Sequence, residues 1–309
     1  MRDIIFIVLG VLLLYGGGEI LIYSATQVAL LLRVSPLVIG LTLVAFGTSA
    51  PELAATLVAS FKGVGDVAFG NVIGSNIANL GLVLGLVALV RPVETTVRFV
   101  TQEVPFMLFT SGLLFLLARD GYLGRWEGLF FLFLLFLFLG FLFKRDGSVA
   151  ALEPGEKKVP FRRIFYYVCG VFIGVALLAG GANVLVEGAV GIARRFGISE
   201  RVIGLTLVAV GTSLPELAST LVAAYRRAGE IILGNIIGSN IMNILAILGV
   251  TPLIHPFSFS REKVILDLVI MMAFSLAAWV MLAHRKLLGR MKGALLFGGY
   301  LFYIFYLYR

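Results

Sequence analysis

VIGLTLVAFGTSAPELAATLVASFKGVGDVAFGNVIGSNIANLGLVLG, from Val38 to Gly85, returns 164 residues later as VIGLTLVAVGTSLPELASTLVAAYRRAGEIILGNIIGSNIMNILAILG, from Val202 to Gly249. Without a gap, 30 of these 48 positions are identical. The matches include Gly, Pro, Thr, Ser, Asn and Glu, so shared hydrophobicity does not account for them, and the chain is an internal duplication. The correspondence weakens outward but persists. Gly17 matches Gly181, and after one inserted residue Gly124, Arg125 and Gly128 match Gly289, Arg290 and Gly293.

What surrounds the duplicated stretch is apolar. Of 309 residues, 60% are hydrophobic and 14% charged, and mean hydropathy is +1.04; soluble domains carry roughly 25% charged residues. A hydrocarbon core takes about 20 apolar residues per helix. Such stretches fall at 4–31, 36–60, 67–90, 98–118 and 125–143, then at 164–193, 201–224, 231–253, 264–283 and 292–308. They leave no room for a soluble domain. Because five spans per copy is odd, the second copy enters the membrane upside down. The expected fold is therefore an all-α membrane protein with ten transmembrane helices in two inverted five-helix repeats, 1–143 and 164–309, joined by a linker at 144–163. The first apolar run is longer than a signal peptide's and lacks a small-residue cleavage site, so it is read as a retained helix.

A net charge of +8 does not imply nucleic acid, because Lys and Arg sit singly or in pairs at the ends of apolar runs. Assigned to alternate sides, fifteen of the 25 fall on the side of the linker. That bias puts the linker in the cytoplasm and both termini outside a cell (inner) membrane. The single Cys169 leaves no disulfide, CxxC pair or cysteine metal site. No phosphate loop, nucleophile motif or Cys/His cluster suggests an enzyme. No cofactor and no obligatory protein partner is evident; membrane lipid is the expected surrounding.

The chemistry lies in Gly47-Thr48-Ser49-Ala50-Pro51-Glu52 and Gly211-Thr212-Ser213-Leu214-Pro215-Glu216, each near the middle of a span. A carboxylate there costs at least about 2.5–3.5 kcal/mol, so it must face a polar cavity or a cation. Proline removes one N–H and clashes with the carbonyl four residues earlier, which frees carbonyls around Gly47 and Gly211. Freed carbonyls, hydroxyls and a carboxylate within one turn suit Ca²⁺, which takes about six to eight oxygens. Broken helices at the middle of inverted repeats are also where secondary transporters hold substrate. A second paired element is Gly70-Asn71-x-x-Gly74-Ser75-Asn76-Ile77-x-Asn79, matched by Gly234-Asn235-x-x-Gly238-Ser239-Asn240-Ile241-x-Asn243. Asn71, Ser75 and Asn79 are spaced to share one helix face and can add neutral oxygens. Asn71, Asn76, Asn235 and Asn240 fit interhelical hydrogen bonding better than ligation.

These two elements resemble the alpha-repeats of the calcium/cation antiporter superfamily, and most closely its prokaryotic sodium/calcium exchangers, over essentially the whole chain. The resemblance implies Glu52 and Glu216 as central ligands shared by Ca²⁺ and Na⁺. It implies that Thr48, Ser49, Thr212, Ser213, Ser75, Ser239, Asn79 and Asn243 complete the sites, and that the long first and sixth helices slide across the other eight. Some relatives, including potassium-dependent ones, carry Asp where this chain has Asn243, which argues against potassium coupling. Proton/calcium relatives usually carry a GNxxE-type motif in place of GTSxPE. Proton- or potassium-coupled divalent-cation antiport stays the alternative.

With both glutamates ionised an empty site bears two negative charges, and moving it through low dielectric is costly. One Ca²⁺ neutralises the pair and three Na⁺ overshoot by one, so loaded forms cross and the empty one does not. Obligatory exchange follows, and the three-to-one stoichiometry that the resemblance implies would make it electrogenic. Other acids carry milder expectations. Glu19 and Glu187 line an ion entry path or are interfacial charges; Glu103 and Asp267 snorkel at helix starts, aided by the dipole; Asp66 and Glu230 open helices. His255 and His284 are loop-adjacent and unpaired, and the Phe/Leu run 129–143 faces lipid.

Overall fold

The computed structural model describes residues 2–147, 161–196 and 209–307, and every span within them is helical. In chain order the helices are α1 (Arg2–Leu32), α2 (Pro36–Thr48), α3 (Ala50–Phe61), α4 (Gly65–Val90), α5 (Val97–Asp120) and α6 (Arg125–Gly147). The second copy supplies α7 (Phe161–Arg195), α8 (Ala209–Thr212), α9 (Leu214–Tyr225), α10 (Gly229–Ile254), α11 (Arg261–Ala283) and α12 (Arg290–Leu307). Among the described residues seven helices are long and apolar enough to cross a membrane, or eight if α2 and α3 form one broken span. The seventh expected segment begins outside the described residues. So does most of the 144–163 linker, whose described ends continue α6 and open α7.

Contacts gather the chain into two compact units, and neither is a sequence repeat. The first comprises Met1–Thr48 and Phe143–Gly234, the second Ser49–Leu142 and Asn235–Arg309. Each unit therefore takes elements from both copies.

The first unit is organised by α1 against α7. Gly10 and Gly17 on α1 and Gly174, Gly181 and Gly188 on α7 recur every seven residues, a small-residue stripe that lets two helices approach closely. The helices run antiparallel. A Cβ on Gly174 would stand 2.9 Å from the Gly17 carbonyl oxygen, and one on Gly181 2.9 Å from the Leu14 nitrogen. Arg195 joins Asp3 at 2.7 Å and Arg2 joins Glu187 at 3.6 Å at one end of the pair. Arg226, just past α9, donates through Nε to Glu19 on α1 at 2.9 Å. Glu19 and Glu187 are thus engaged in ion pairs.

In the second unit, four two-residue strands join one copy to the other. β1 (Val93–Glu94) pairs antiparallel with β4 (Leu287–Leu288), and β2 (Tyr122–Leu123) with β3 (Phe257–Ser258). The duplication maps β1 onto β3 and β2 onto β4, so the two ladders are images of each other. The Thr95 N–H donates to Lys286 O at 2.9 Å, and the Phe259 N–H donates to Gly121 O at 2.8 Å. Three sequence expectations change here. Asp66 does more than open a helix, since its Oδ1 accepts from Ser260 N at 2.6 Å. His255 is not unpaired: Ser60 Oγ lies 3.0 Å from its Nδ1. Glu103 does not snorkel, being buried, while Asp267 accepts a 2.9 Å bond from the Tyr303 hydroxyl. For Glu103 packing closes the path to the surface, whereas Asp267 stays half-buried and is held by that bond.

Left-handed backbone occurs at six described positions, and the copies fill them differently. Helices α1, α3 and α9 end in the same motif, with N–H groups reaching back to the last turn from Arg33 and Val34, from Gly63 and Val64, and from Arg227 and Ala228. The left-handed residue is Arg33 (φ 56°), Gly63 (φ 70°) or Arg227 (φ 62°). The duplication pairs Gly63 with Arg227, and Gly121 (φ 74°) with Lys286 (φ 52°), which follows Arg285 (φ 61°). A residue with a Cβ pays roughly 1–2 kcal/mol there that glycine does not.

Gly174→Val is expected to force α1 and α7 apart and lower stability by about 1–3 kcal/mol, read as a lower melting temperature in detergent. Gly16→Ala, where nothing lies within 4 Å of the new methyl, is expected to leave it unchanged or raise it.

Candidate cation site

Both copies break their second span at a serine. Ser49 (φ −84°, ψ 3°) and Ser213 (φ −89°, ψ 3°) leave the helical basin together, and the chain re-enters a helix through Pro51 and Pro215. Proline at that position lacks an N–H that would have no partner anyway. Glu52 and Glu216 follow in the first turns of α3 and α9, where the helix dipole favours negative charge. Each is only 1% exposed. Their backbone carbonyls are held in matching fashion: Thr56 Oγ1 donates to Glu52 O at 2.7 Å and Thr220 Oγ1 to Glu216 O at 2.6 Å. Among the described residues no three of His, Cys, Asp and Glu gather to hold a metal. A cation at either motif would need neutral oxygens beside the carboxylate.

The first unit holds Thr48, Thr212, Ser213 and Glu216 of the expected ligands. Thr48 and Ser213 are buried, Thr212 half-buried. Helix α7 lies against both broken turns: a Cβ on Gly47 would meet Val175 Cγ2 at 2.6 Å, and one on Gly211 would meet Val186 Cγ2 at 2.6 Å. Glycine in GTS is therefore a packing requirement.

The second unit holds Ser49, Glu52, Ser75, Asn79, Ser239 and Asn243, all buried. Asn71, expected in interhelical hydrogen bonding, is found there: its Nδ2 donates to Thr56 Oγ1 at 2.9 Å and to Glu52 O at 3.2 Å, tying α4 to α3. Beyond it α4 widens into a π-turn over Asn79–Val83, and α10 does the same over Asn243–Ile247. The N–H groups of Leu84 and Leu248 reach back five residues to the carbonyls of Asn79 and Asn243. Such turns insert an extra residue and are frequent at functional sites. The turn at Asn243 packs against α3 and α4.

Asn79 and Asn243 are each 1% exposed. Neither polar atom of the Asn79 side chain makes a hydrogen bond, and Oδ1 of Asn243 accepts none. A buried polar atom left so costs about 1–3 kcal/mol, and a hard cation is the partner such oxygens suit. Thr56 and Thr220 were missed in the sequence, although a threonine four residues after each glutamate, repeated in both copies, was a usable signal.

The profile of the sodium/calcium exchanger protein family matches residues 3–144 and 166–309. The chain belongs to that family. It is 37% identical to the putative antiporter CaxA of Alkalimonas amylolytica, with 98% of each chain covered. To the sodium/calcium exchanger MaX1 of Methanosarcina acetivorans it is 33% identical, over 99% of this chain and 97% of that one. Among solved structures, the sodium-calcium exchanger NCX_Mj soaked with Na⁺ superposes with a TM-score of 0.85 at 32% identity, 98% of both chains covered. The exchanger is thus an all-helical integral membrane protein with the ten-helix inverted-repeat fold, a cation antiporter and not an enzyme.

Asn71→Ala is expected to lower ion-free stability by about 1–2 kcal/mol, since it strips partners from buried groups, whereas Asn79→Ala removes an amide with nothing to lose and is expected to be neutral or stabilising. Thermal unfolding in chelator without Na⁺ checks both.

Proposed function

We propose that this exchanger carries Na⁺ against Ca²⁺ by alternating access, with Glu52 and Glu216 as the carboxylate ligands and Thr48, Ser49, Ser75, Asn79, Thr212, Ser213, Ser239 and Asn243 as the neutral ones. The observation that carries the proposal is the pair of buried amides, Asn79 and Asn243, with oxygens that no hydrogen bond satisfies. Ca²⁺ and Na⁺ both prefer oxygen, and Ca²⁺ tolerates the irregular geometry that hydroxyls, amides and carboxylates supply. Placement of each glutamate in a helix's first turn supports the ionised form, as the charge-balance mechanism needs. The similarity to MaX1, a sodium/calcium exchanger, supports sodium as the coupling ion.

Membership of the sodium/calcium exchanger family supports a stoichiometry of three to one. Three Na⁺ for one Ca²⁺ moves one net charge per cycle, so exchange generates current. The linker lies in the cytoplasm and both termini outside, in the cell membrane, supported by the excess of Lys and Arg on the linker side. With the usual sodium gradient the exchanger extrudes Ca²⁺.

Sodium-loaded proteoliposomes diluted into sodium-free medium are expected to take up Ca²⁺, and potassium-, choline- or acid-loaded vesicles are not. Glu52→Gln and Glu216→Gln are each expected to lower uptake by at least about a hundredfold, roughly 2.7 kcal/mol. Equal uptake driven by an acid interior would make the coupling ion a proton, and uptake indifferent to both substitutions would remove the glutamates from the site.

A further inference from the structure

Asn76 and Asn240 are sequence equivalents, yet they bond differently. Asn240 turns its Nδ2 back onto its own helix, to Ile236 O at 2.8 Å. Asn76, 0% exposed, reaches across from α4 to α10. Its side chain lies 3.4 Å from the backbone carbonyl of Asn240, and 3.6 Å from the Met271 sulfur. A backbone carbonyl can only accept, so the Asn76 atom facing it is the Nδ2 donor. That fixes Oδ1 of Asn76 on the opposite side, where the Asn243 Nδ2 donates to it at 3.0 Å. An amide that spends its nitrogen in this way presents its oxygen elsewhere. Polarity therefore runs one way from the Asn240 carbonyl, through Asn76, to the Oδ1 of Asn243, a buried acceptor without a hydrogen bond.

We propose that Asn76 is a positioning residue that acts through Asn243, holding its amide oxygen-first for the transported cation and favouring an amide over a carboxylate at position 243. Without Asn76 the Asn243 side chain is free to turn by half a revolution and offer its NH₂ group, which a cation repels. With Asn76 in place, Asp at 243 would set a carboxylate oxygen against the Asn76 Oδ1, unless Asn76 turned over and lost the Asn240 carbonyl. One side chain thereby holds the site to the charge of its two glutamates. Asn79, the counterpart of Asn243, has no such partner, because the amide that would orient it is committed to Ile236. The proposal rests on Asn243 being a ligand.

The test is a double-mutant cycle on calcium uptake into sodium-loaded proteoliposomes, with Asn76→Ala, Asn243→Ala and the pair. Each single variant is expected to raise the calcium KM by about tenfold or more, as loss of an outer-shell partner of a metal ligand does, with Vmax within about twofold. The double variant is expected to be no worse than Asn243→Ala, since Asn76 has nothing left to orient. Independent, multiplying effects would overturn the positioning role, as would an unchanged KM for Asn76→Ala beside a raised one for Asn243→Ala. An unchanged KM for Asn243→Ala would overturn the ligand assignment together with the inference. Should Asn76→Ala not fold, the same cycle with Asn76→Ser, whose hydroxyl is too short to reach Asn243, decides between these outcomes.

Discussion

A carboxylate in the middle of an apolar span has to be neutralised, and the molecule is arranged around two of them. Glu52 and Glu216 are almost wholly buried, at a depth where an uncompensated charge is expensive. The break at Ser49 or Ser213 turns an ordinary span into a helix start, whose dipole lowers that cost. Threonines one turn on donate to the glutamate carbonyls, so the backbone at the break stays satisfied. Glycines at 47 and 211 admit α7 against the same turns. All of these features recur in both copies.

Much of this was legible in the sequence because duplication separates meaning from noise. Hydrophobicity alone repeats anywhere, but Pro51 with Glu52 and Pro215 with Glu216 repeat for a reason. Helix ends were readable to within a few residues, since Arg, Gly and Pro punctuate apolar runs. What escaped was whatever depends on neighbours distant in the chain. The spacing of Asn71, Ser75 and Asn79 gave one face but not the partners of Asn71, which are Thr56 and the Glu52 carbonyl on α3, nor the π-turn that starts at Asn79. Periodicity at 3.6 residues has no term for either effect. The grouping into units that cross the repeats was equally hidden, because no local signal reports that β1 pairs with β4 and β2 with β3. His255 looked idle for the same reason: Ser60, its partner, is 195 positions away.

Duplicated sequence did not produce duplicated bonding. Asn76 and Asn240 occupy equivalent positions, but one crosses to another helix and the other folds back on its own. The symmetric alternative, Asn240 donating to the Asn76 carbonyl, is not taken up, because the Asn240 Nδ2 donates to Ile236 instead. Near-symmetry is broken here among amides, which can reverse donor and acceptor without a change of volume. The outcome is an oriented oxygen at Asn243 and an unoriented amide at Asn79.

The left-handed positions are a second place where the copies part company, and there the difference concerns backbone strain. A loop that tolerates Gly63 in one copy carries Arg227 in the other, and Gly121 is answered by Lys286. The same turn thus accepts either residue type, with glycine relaxed and the cation strained. Strain of roughly 1–2 kcal/mol at each cation is relieved by a single change to glycine. Four such cations, Arg33, Arg227, Arg285 and Lys286, therefore mark turns where stability is held in reserve, each recoverable by one glycine.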